Sequence, residues 1–260
     1  MNAPDESRYL VPGLTRGLRI LQSFSREQPR LSAAEIGRAL ELPRASAFRL
    51  IQTLETLGFL ERDANVYRLG PAVLGLGFEY LASLGLTDLG RPVIDALRDK
   101  SGHSAHLAIR DGADAVILLK AAGPSAFSSW VNVGTRLPAH ATVLGRALLQ
   151  GMSSGALKSL FAGKMKRYSD HTPGSVKELE ALLGEDAVQG AALSEGFYEN
   201  NICSIACPVH DRGGRVAAAI SITIPRASFA PDNPAELIAL VRAAAGQLGE
   251  RLSHEVEAKL

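Results

Sequence analysis

The sequence predicts an α+β protein in two parts: an N-terminal unit of three helices and a hairpin, and a C-terminal domain built around an antiparallel sheet. Three observations lead to this prediction. Helical periodicity in the first 57 residues gives way to two short strand patterns, an apolar segment follows, and strands then alternate with helices. A length of 260 residues suits two domains. An apolar content of 46% and a charged content of 21% are ordinary for a folded chain and argue against disorder.

The N-terminal unit is predicted to contain three helices. The first spans Leu14 to Phe24. Ser32 caps the second, because Glu35 lies three residues further on and completes a capping box. Pro43 ends the next turn and opens a third helix from Arg44 to Leu57. The apolar residues predicted to bury these helices are Leu14, Leu18, Leu21 and Phe24 in the first, Ile36, Ala39 and Leu40 in the second, and Phe48, Ile51, Leu54 and Leu57 in the third.

A hairpin follows the third helix. The segments Phe59–Arg62 and Val66–Leu69 have strand patterns on either side of the polar turn at residues 63–65. Three helices, the last two joined by a short turn and followed by a hairpin, are the arrangement of a winged helix-turn-helix. We assign this domain to residues 14–70 and a polar tail to residues 1–13.

The segment from Pro71 to Leu86 is apolar on nearly all sides. Its apolar residues include Val73, Leu74, Leu76, Phe78, Leu81, Leu84 and Leu86. A helix of this composition must be buried on several sides, and a segment between two domains can achieve this against a second copy of itself. We therefore predict a connecting helix at residues 71–86 that forms a dimer interface.

The remaining chain is predicted to form a second domain at residues 87–252, before a short tail at residues 253–260. Strand and helix patterns alternate along it, with polar turns inside the strand pairs. The predicted elements are the hairpins Ala105–Arg110 with Ala115–Lys120 and Ile205–His210 with Val216–Ile224, a further strand at Phe127–Val133, and helices at Leu89–Lys100, Ala141–Gln150, Val176–Leu183 and Pro234–Leu252.

The second helix of a helix-turn-helix pair enters the major groove, and its N-terminal residues reach base edges and phosphates. Here that helix begins with arginine and serine side chains, which can neutralise phosphates or, for arginine, fork onto a guanine edge. The hairpin adds two arginines suited to backbone or minor-groove contacts. The alternative is that these side chains are solvated surface charges. The predicted DNA-binding residues are Arg16, Arg44, Ser46, Arg49, Arg62 and Arg68.

The net charge neither supports nor excludes DNA binding. It is only +1, from 28 Lys and Arg against 27 Asp and Glu. All ten basic residues in the first 80 positions are arginine, against nine acids. Attraction to DNA would therefore come from a few placed arginines, doubled by dimerisation, and the affinity should fall as salt is added.

Several ordered motifs resemble those of a known family. They are TRGLRILQSF, LSAAEIGRALELPRASAFRLIQTLETLGFLERD and YRLGPAVLGLG in the first part, and VGTRLPAHATVLGRALL and CSIACPVHDRGGRVAAAISITIP in the second. From about Leu14 to Leu252 the chain resembles the IclR family of bacterial transcriptional regulators. The resemblance implies a winged helix-turn-helix, a linker helix that dimerises, and a GAF-like effector domain that binds a small metabolite. Members repress or activate catabolic operons, often for aromatic or small organic acids.

The second domain carries groups suited to a small-molecule pocket, which is usually apolar with a few polar groups that orient the ligand. The loop at residues 134–144 ends where a helix is predicted to start, and free N–H groups at a helix start can bind an anion. Ser221 and Thr223 alternate with isoleucines on one strand, so their hydroxyls face the same side.

The resemblance adds further effector contacts. It implies that backbone amides at the end of the 134–144 loop bind a carboxylate, and that hydroxyls of the last strand touch the effector. It also implies contacts at a residue of the preceding strand and at an acidic position within 196–204, a segment that is shorter here than is usual in the family. Trp130, the only tryptophan, is suited to the core or a lid and would report on ligand binding. The predicted effector-binding residues are Trp130, Thr142, Val143, Leu144, Glu199, Ser204, Ser221 and Thr223.

Neither a metal nor a cofactor is predicted. His103, His106 and His140 lack the spacing of metal ligands. Cys203 and Cys207 are expected to be buried thiols, because a disulfide at this spacing would be strained and a lone pair of cysteines suits a reducing compartment.

The sequence therefore predicts a transcriptional regulator, and not an enzyme, whose binding to double-stranded operator DNA is controlled by a small carboxylate. A homodimer or dimer of dimers is expected. One alternative is a regulator whose sensor pocket binds nothing. Another is a hydrolase, although the sequence has no nucleophile elbow, Walker loop, Rossmann glycine motif or HExxH motif. Without a long apolar run or a signal-like leader, the expected location is the cytoplasm, with no membrane partner.

Overall fold

The structure is a computed structural model that describes residues 9–25, 27–124, 131–163, 165–196, 198–199, 201–229 and 234–258, with the backbone alone at 82–84 and 254–258. The chain divides into two compact units, residues 1–83 and residues 84–260. Each unit has its own antiparallel sheet and its own hydrophobic core.

The N-terminal unit contains the predicted helices and hairpin together with one additional short strand. The strands form a three-stranded antiparallel sheet in the order β1-β3-β2. This unit is the winged helix-turn-helix that the sequence predicts. Its elements are α1 (Pro12–Gln22), β1 (Leu31–Ser32), α2 (Ala33–Ala39), α3 (Arg44–Thr56), β2 (Leu60–Asp63), β3 (Val66–Leu69) and α4 (Ala72–Leu84), which reaches the unit boundary.

The predicted capping box fixes the start of α2. The Ser32 hydroxyl accepts a hydrogen bond from the Glu35 N–H at 3.3 Å, and the Ser32 N–H donates to Glu35 Oε2 at 2.7 Å. After α2, the Leu42 N–H donates to the Gly37 carbonyl at 2.8 Å, and Pro43 stands immediately before α3. These local contacts define the turn between the two helices of the DNA-binding motif.

The core of this unit differs from the predicted apolar faces. The prediction was wrong at Leu14 and Leu18 of α1, which are 64% and 50% exposed, because the helix directs Ile20, which is fully buried, toward the core. Phe48 of α3 is also exposed, at 52%. A helix with apolar residues on more than one side has no periodicity that separates the buried face from the exposed one. Two other predicted core residues are exposed, Ala39 and Leu57. The observed core is Ile20, Phe24, Leu31, Ile36, Ile51, Leu60 and Tyr67.

The C-terminal unit is built on a six-stranded sheet in the order β6-β5-β4-β9-β8-β7, with every neighbouring pair antiparallel. The α+β fold class is confirmed. The elements are α5 (Leu86–Ser101), β4 (Ser104–Asp111), β5 (Asp114–Ala121), β6 (Arg136–Pro138), α6 (Val143–Leu149), α7 (Ser154–Leu160), α8 (Val176–Gln189), β7 (Ala192–Glu195), β8 (Ile202–His210), β9 (Val216–Pro225) and α9 (Ala235–Ala258).

Some of these elements differ from the prediction. The helix predicted at 71–86 ends at Leu84, because Gly85 adopts a left-handed conformation with φ of 61° before α5 begins. The elements β6, β7 and α7 are too short to show a periodicity and were not predicted. Most of the strand predicted at 127–133 falls on residues 125–130, which lie outside the described residues.

Helices cover both faces of the large sheet, so alternate residues along its strands face different layers. On one face, Gly90 of α5 approaches the sheet so closely that a Cβ atom there would lie 2.6 Å from Leu107 Cδ2. On the other face, Leu144 of α6 shares a core cluster with Ala219 of β9. The cavity described below lies on the α6 face.

The helix α4 exposes most of its large apolar side chains within a single chain. Leu74, Leu76 and Phe78 are 73%, 61% and 70% exposed, and Tyr80 is 52% exposed. Among the described residues, no single helix has both the length and the apolar composition needed to span a bilayer. Only the segments 72–81 and 86–101, which are separated by a break, meet that test when taken together.

Candidate functional site

The exposed side of α3 carries predicted DNA-binding residues. Arg44 and Arg49 are exposed, and neither has an ion-pair partner in the part of the chain that the structure describes. Ser46 is half-buried, whereas Ile51 on the opposite side of the helix is fully buried in the core. Arg16 on α1 is likewise exposed and without an ion-pair partner among the described residues. These guanidinium groups are available to phosphates or base edges.

The arginines of the hairpin are engaged within the chain. Arg68 Nη2 lies 2.7 Å from Glu61 Oε2, on the neighbouring strand. Arg62 Nε donates to the Ala64 carbonyl at 2.9 Å. Both side chains are exposed, so a phosphate can compete for them, but each must give up a contact to bind it.

Phe48 is a surface residue of α3, although the apolar periodicity predicts that it is buried. Its ring is half-exposed, one turn after Arg44 and next to Arg49. An apolar ring at such a position can contact the methyl group of a thymine in the major groove. The apolar periodicity assigned Phe48 to the core, and only its exposure in the fold corrects that assignment.

A small cavity of about 70 Å³ lies between α6 and the sheet of the C-terminal unit. It contains every predicted effector-binding residue that the structure describes. Trp130 lies outside the described residues. The lining consists of His106, Val131, Leu137, Ala141, Thr142, Val143, Leu144, Ser194, Tyr198, Glu199, Ile202, Ser204, Ser221 and Thr223.

The sheet register explains why these residues converge. Ser204 on β8 lies opposite Thr223 on β9 and opposite Ser194 on β7. Ser221 precedes Thr223 by two residues and so shares its face, and it lies opposite His106 on β4. Residues directly opposite on neighbouring strands have Cβ atoms about 5 Å apart. Four strands therefore place hydroxyl groups and one imidazole on a single wall of the cavity.

The start of α6 forms the facing wall. The Thr142 hydroxyl accepts a hydrogen bond from the Gly145 N–H at 3.3 Å and donates to the Pro138 carbonyl at 3.2 Å. The N–H groups of Val143 and Leu144 have no acceptor among the described residues. The Thr142 side chain thus caps the helix, and the two following amides are available to a ligand.

His106 is a cavity residue that sequence reasoning considered only as a metal ligand. Its side chain is 2% exposed, and its Nε2 has no hydrogen-bond partner among the described residues. Burial, assisted by the nearby positive charge of Lys120, lowers the pKa of His106 to about 4, so the imidazole is neutral at physiological pH. The signal for this role is long-range strand pairing, which a single sequence does not display.

The rim of the cavity is formed by the segment that carries Glu199. Its neighbour Tyr198 also lines the cavity, and the ring centroid of Tyr198 lies 4.8 Å from that of Tyr168. Burial raises the pKa of the Tyr198 hydroxyl. The Ile202 N–H donates to the Glu199 carbonyl at 3.3 Å. This turn brings Glu199 to the cavity even though the segment is short.

The two cysteines lie on strand β8 as buried free thiols, as the sequence predicts. The cavity residue Ser204 lies between Cys203 and Cys207 in sequence. Because side chains alternate along a strand, both cysteines lie on the face opposite to that of Ser204. Burial raises the pKa of Cys207 to about 11, so the reactive thiolate is not formed at physiological pH. In the described ranges, no group of three or more His, Cys, Asp or Glu could hold a metal ion.

A larger groove of about 1070 Å³ runs along α9 and β8. Small residues such as Gly246 and Gly249 line it, together with Arg110, Arg215 and Arg242. It contains none of the predicted effector-binding residues. The smaller cavity is therefore the candidate effector site.

Both parts of the chain match family models. Residues 13–64 match the IclR helix-turn-helix domain, and residues 78–250 match the C-terminal domain of bacterial IclR transcriptional regulators. Together with the winged helix-turn-helix and the cavity of the C-terminal unit, these matches define a DNA-binding regulator with an effector-binding domain. The chain belongs to the IclR family of bacterial transcriptional regulators.

Alignments with known relatives cover most of the chain. It is 32% identical to the Pca regulon regulatory protein of Pseudomonas putida over 215 residues, which cover 82% of this chain and 74% of the relative. A transcriptional regulator from Rhodococcus sp. RHA1 has 30% identity and a TM-score of 0.84, covering 95% of this chain and all of that one. An IclR homologue from Microbacterium hydrocarbonoxydans, solved with 4-hydroxybenzoate, shares the fold at 24% identity with a TM-score of 0.82, covering 92% and 98% of the two chains. The protein is thus a transcriptional regulator and not an enzyme.

Proposed function

We propose that this regulator controls an operator in response to a small organic acid, acting as a homodimer or a dimer of dimers. The observation that carries the proposal is the convergence of predicted effector residues from α6, the rim, β8 and β9 on one cavity. An effector changes DNA affinity only if it binds two arrangements of the protein unequally. Because the target is chromosomal DNA, we propose a cytoplasmic location.

The chemistry of the cavity supports an acid as the effector. The N–H groups of Val143 and Leu144 can donate to a carboxylate, and the hydroxyls of Ser221 and Thr223 can bind a further polar group. Apolar residues such as Leu137 can contact a carbon skeleton. A volume of about 70 Å³ favours a small effector. One structural relative was solved with 4-hydroxybenzoate, which adds aromatic acids to the candidates.

On the DNA side, we propose that α3 enters the major groove. Arg44 and Arg49 supply unpaired positive charge, and Ser46 supplies a hydroxyl near the start of the helix. We assign phosphate contacts to Arg16 and backbone or minor-groove contacts to the hairpin residues Arg62 and Arg68. Two copies of this small set of arginines would compensate for the near-zero net charge.

The exposed apolar surface of α4 supports dimerisation. Leu74, Leu76 and Phe78 are each more than half exposed. Large apolar side chains exposed together on one helix typically mark protein–protein contacts. A second copy of the same helix offers a self-complementary surface, which is the usual arrangement in a two-fold homodimer.

A gel-shift assay tests the proposal directly. Purified full-length protein is incubated with DNA from upstream of its own gene, with and without a panel of aromatic and short aliphatic acids. We expect sequence-selective retardation that at least one acid strengthens or weakens. Binding without sequence preference would contradict the DNA assignment. Quenching of Trp130 fluorescence by the same acids separates a working sensor from a regulator whose cavity binds nothing.

A further inference from the structure

We propose that His106 is a further effector-binding residue, and that it selects acids carrying an additional hydroxyl group over the same acids without it. This inference rests on the proposed acid-binding function of the cavity. It names a residue that the resemblance does not supply, and it narrows the class of effector.

The imidazole of His106 has an unmet hydrogen-bonding requirement. Buried polar groups in proteins are nearly always hydrogen-bonded, because leaving one unpaired costs free energy. His106 is almost fully buried, and its Nε2 has no partner among the described residues. The residue lines the effector cavity. A ligand held there is positioned to supply the missing partner.

The imidazole of His106 belongs to the polar sheet wall of the cavity. His106 lies directly opposite Ser221 on the neighbouring strand, on the same wall as Ser204 and Thr223. The free amides of α6 lie on the facing wall. A ligand whose carboxylate meets those amides therefore presents its other end to the imidazole and hydroxyls of the sheet. An effector with an apolar far end would leave this polar wall unpaired.

The surroundings of His106 are suited to a neutral hydroxyl group of the ligand. The charged residues that face it are Lys120 on the adjacent strand, whose Nζ donates to the Val131 carbonyl at 2.7 Å, and Glu199 at the rim. The imidazole itself is neutral, with one N–H donor and one acceptor nitrogen. A hydroxyl both donates and accepts, so it pairs with either tautomer. Sites built to bind a hydroxyl reject analogues that lack it.

Titration calorimetry on the full-length protein tests this proposal with two matched pairs of ligands, 4-hydroxybenzoate with benzoate and 3-hydroxypropionate with propionate. The variants are His106→Leu, which removes both hydrogen-bonding nitrogens, and His106→Gln, which retains a donor and an acceptor. His210→Leu is the matched control, since His210 is an exposed residue of β8 outside the cavity.

We expect the wild-type protein to prefer the hydroxylated member of at least one pair by about tenfold or more. His106→Leu should lose that preference by weakening binding of the hydroxylated acid, while the unsubstituted acid binds as before. His106→Gln should retain part of the preference, and His210→Leu all of it. A purely structural role would weaken both members of a pair equally.

The outcomes separate this inference from the proposed function. If the wild-type protein binds acids without preferring the hydroxylated ones, or if His106→Leu keeps the preference, the role of His106 is overturned and the acid-binding function stands. If no acid binds, both fail. Nuclear magnetic resonance of the His106 imidazole nitrogens in the wild-type protein keeps the proposal testable if His106→Leu does not fold. Their shifts should change with the hydroxylated acid, and unchanged shifts would overturn the assignment.

Discussion

Arg146 and Asp186 form a buried bidentate ion pair that connects α6 to α8. Arg146 Nε lies 2.8 Å from Asp186 Oδ2, and Nη2 lies 3.2 Å from Oδ1. The same guanidinium donates to the Leu193 carbonyl on β7. Burial raises the pKa of the Asp186 carboxyl to about 6, although the hydrogen bonds from Arg146 act against that shift. This pair holds in place the helix whose first amides border the cavity.

Removing one partner of this pair should destabilise the protein strongly. Arg146→Met or Asp186→Leu leaves an unpaired buried charge, and we expect each to lower the free energy of unfolding by about 3–5 kcal/mol. The double variant Arg146→Met/Asp186→Leu should recover much of that loss, because no unpaired charge remains. Urea unfolding followed by circular dichroism measures all three variants. A double variant that loses the sum of the two single effects would contradict this account.

Arg49→Ala should weaken operator binding without changing effector binding. Arg49 is exposed on α3 and has no ion-pair partner within the described ranges, so its substitution breaks no ion pair of the fold there. If Arg49 contacts a phosphate, the slope of log operator affinity against log salt concentration should become shallower by about one for each Arg49 removed. Gel shifts over a salt series measure this slope. Lys158→Ala on α7 is the control, and weaker effector binding in Arg49→Ala would show that the site is misplaced.

Ser221→Ala should weaken effector binding and leave ligand-free operator binding intact. The Ser221 hydroxyl is buried on the cavity wall, and removing one hydrogen bond there should cost about 1 kcal/mol, close to a fivefold loss in affinity. Calorimetry with the acid that wild-type protein binds best gives the comparison. Ser159→Ala, an exposed serine of α7, provides the control. Equal affinities for the Ser221→Ala variant and the wild-type protein would exclude Ser221 from the effector site.

Phe78→Glu should disrupt the dimer. The Phe78 side chain is 70% exposed on α4, and a charge placed within an apolar contact opposes association by its desolvation cost. Analytical ultracentrifugation should show a shift toward monomer for this variant. Val188→Glu adds the same charge at a position on α8 that is 92% exposed, and it should leave the distribution unchanged. A dimer that survives Phe78→Glu would rule out this face of α4 as the interface.

His106 should make the protein less stable as the pH falls. Its pKa is about 4 in the folded chain against an ordinary value of 6.5. Between these values the unfolded chain binds a proton that the folded chain does not. The free energy of unfolding therefore falls with decreasing pH, by up to about 3 kcal/mol. His106→Leu lacks this contribution, so its stability relative to wild type should rise as the pH falls from about 7 to about 5. A difference in unfolding free energy between the two proteins that stays constant across that range would contradict the prediction. Asp186 is present in both proteins, so its titration does not change this difference.

The local features of the fold were predictable from the sequence. Ser32 and Glu35 form their capping box within four residues, and Pro43 sets the start of α3 by its own geometry. Ser221 and Thr223 face one side because strands alternate. Each of these predictions depends on neighbours in the sequence, and each agrees with the structure.

Features that depend on distant neighbours were not predictable. Whether Leu18 or Ile20 is buried depends on which side of α1 meets the other helices, and both sides carry apolar residues. The place of His106 in the cavity depends on the pairing of β4 with β9, which are remote in sequence. The ion pair between Arg146 and Asp186 likewise joins two helices across 40 residues. A single sequence contains no record of such pairings.

The strand order of the large sheet has a consequence for biosynthesis. β4 lies between β5 and β9, so the wall of the cavity joins residues near position 106 to residues near position 221. The N-terminal unit can fold as soon as the first part of the chain has left the ribosome. The cavity cannot form until β8 and β9 have been synthesised. Pairings of such long sequence separation also form slowly. A product truncated before residue 202 would retain the DNA-binding motif and lack the strands that carry Ser204, Ser221 and Thr223, so it would occupy operators without responding to the effector.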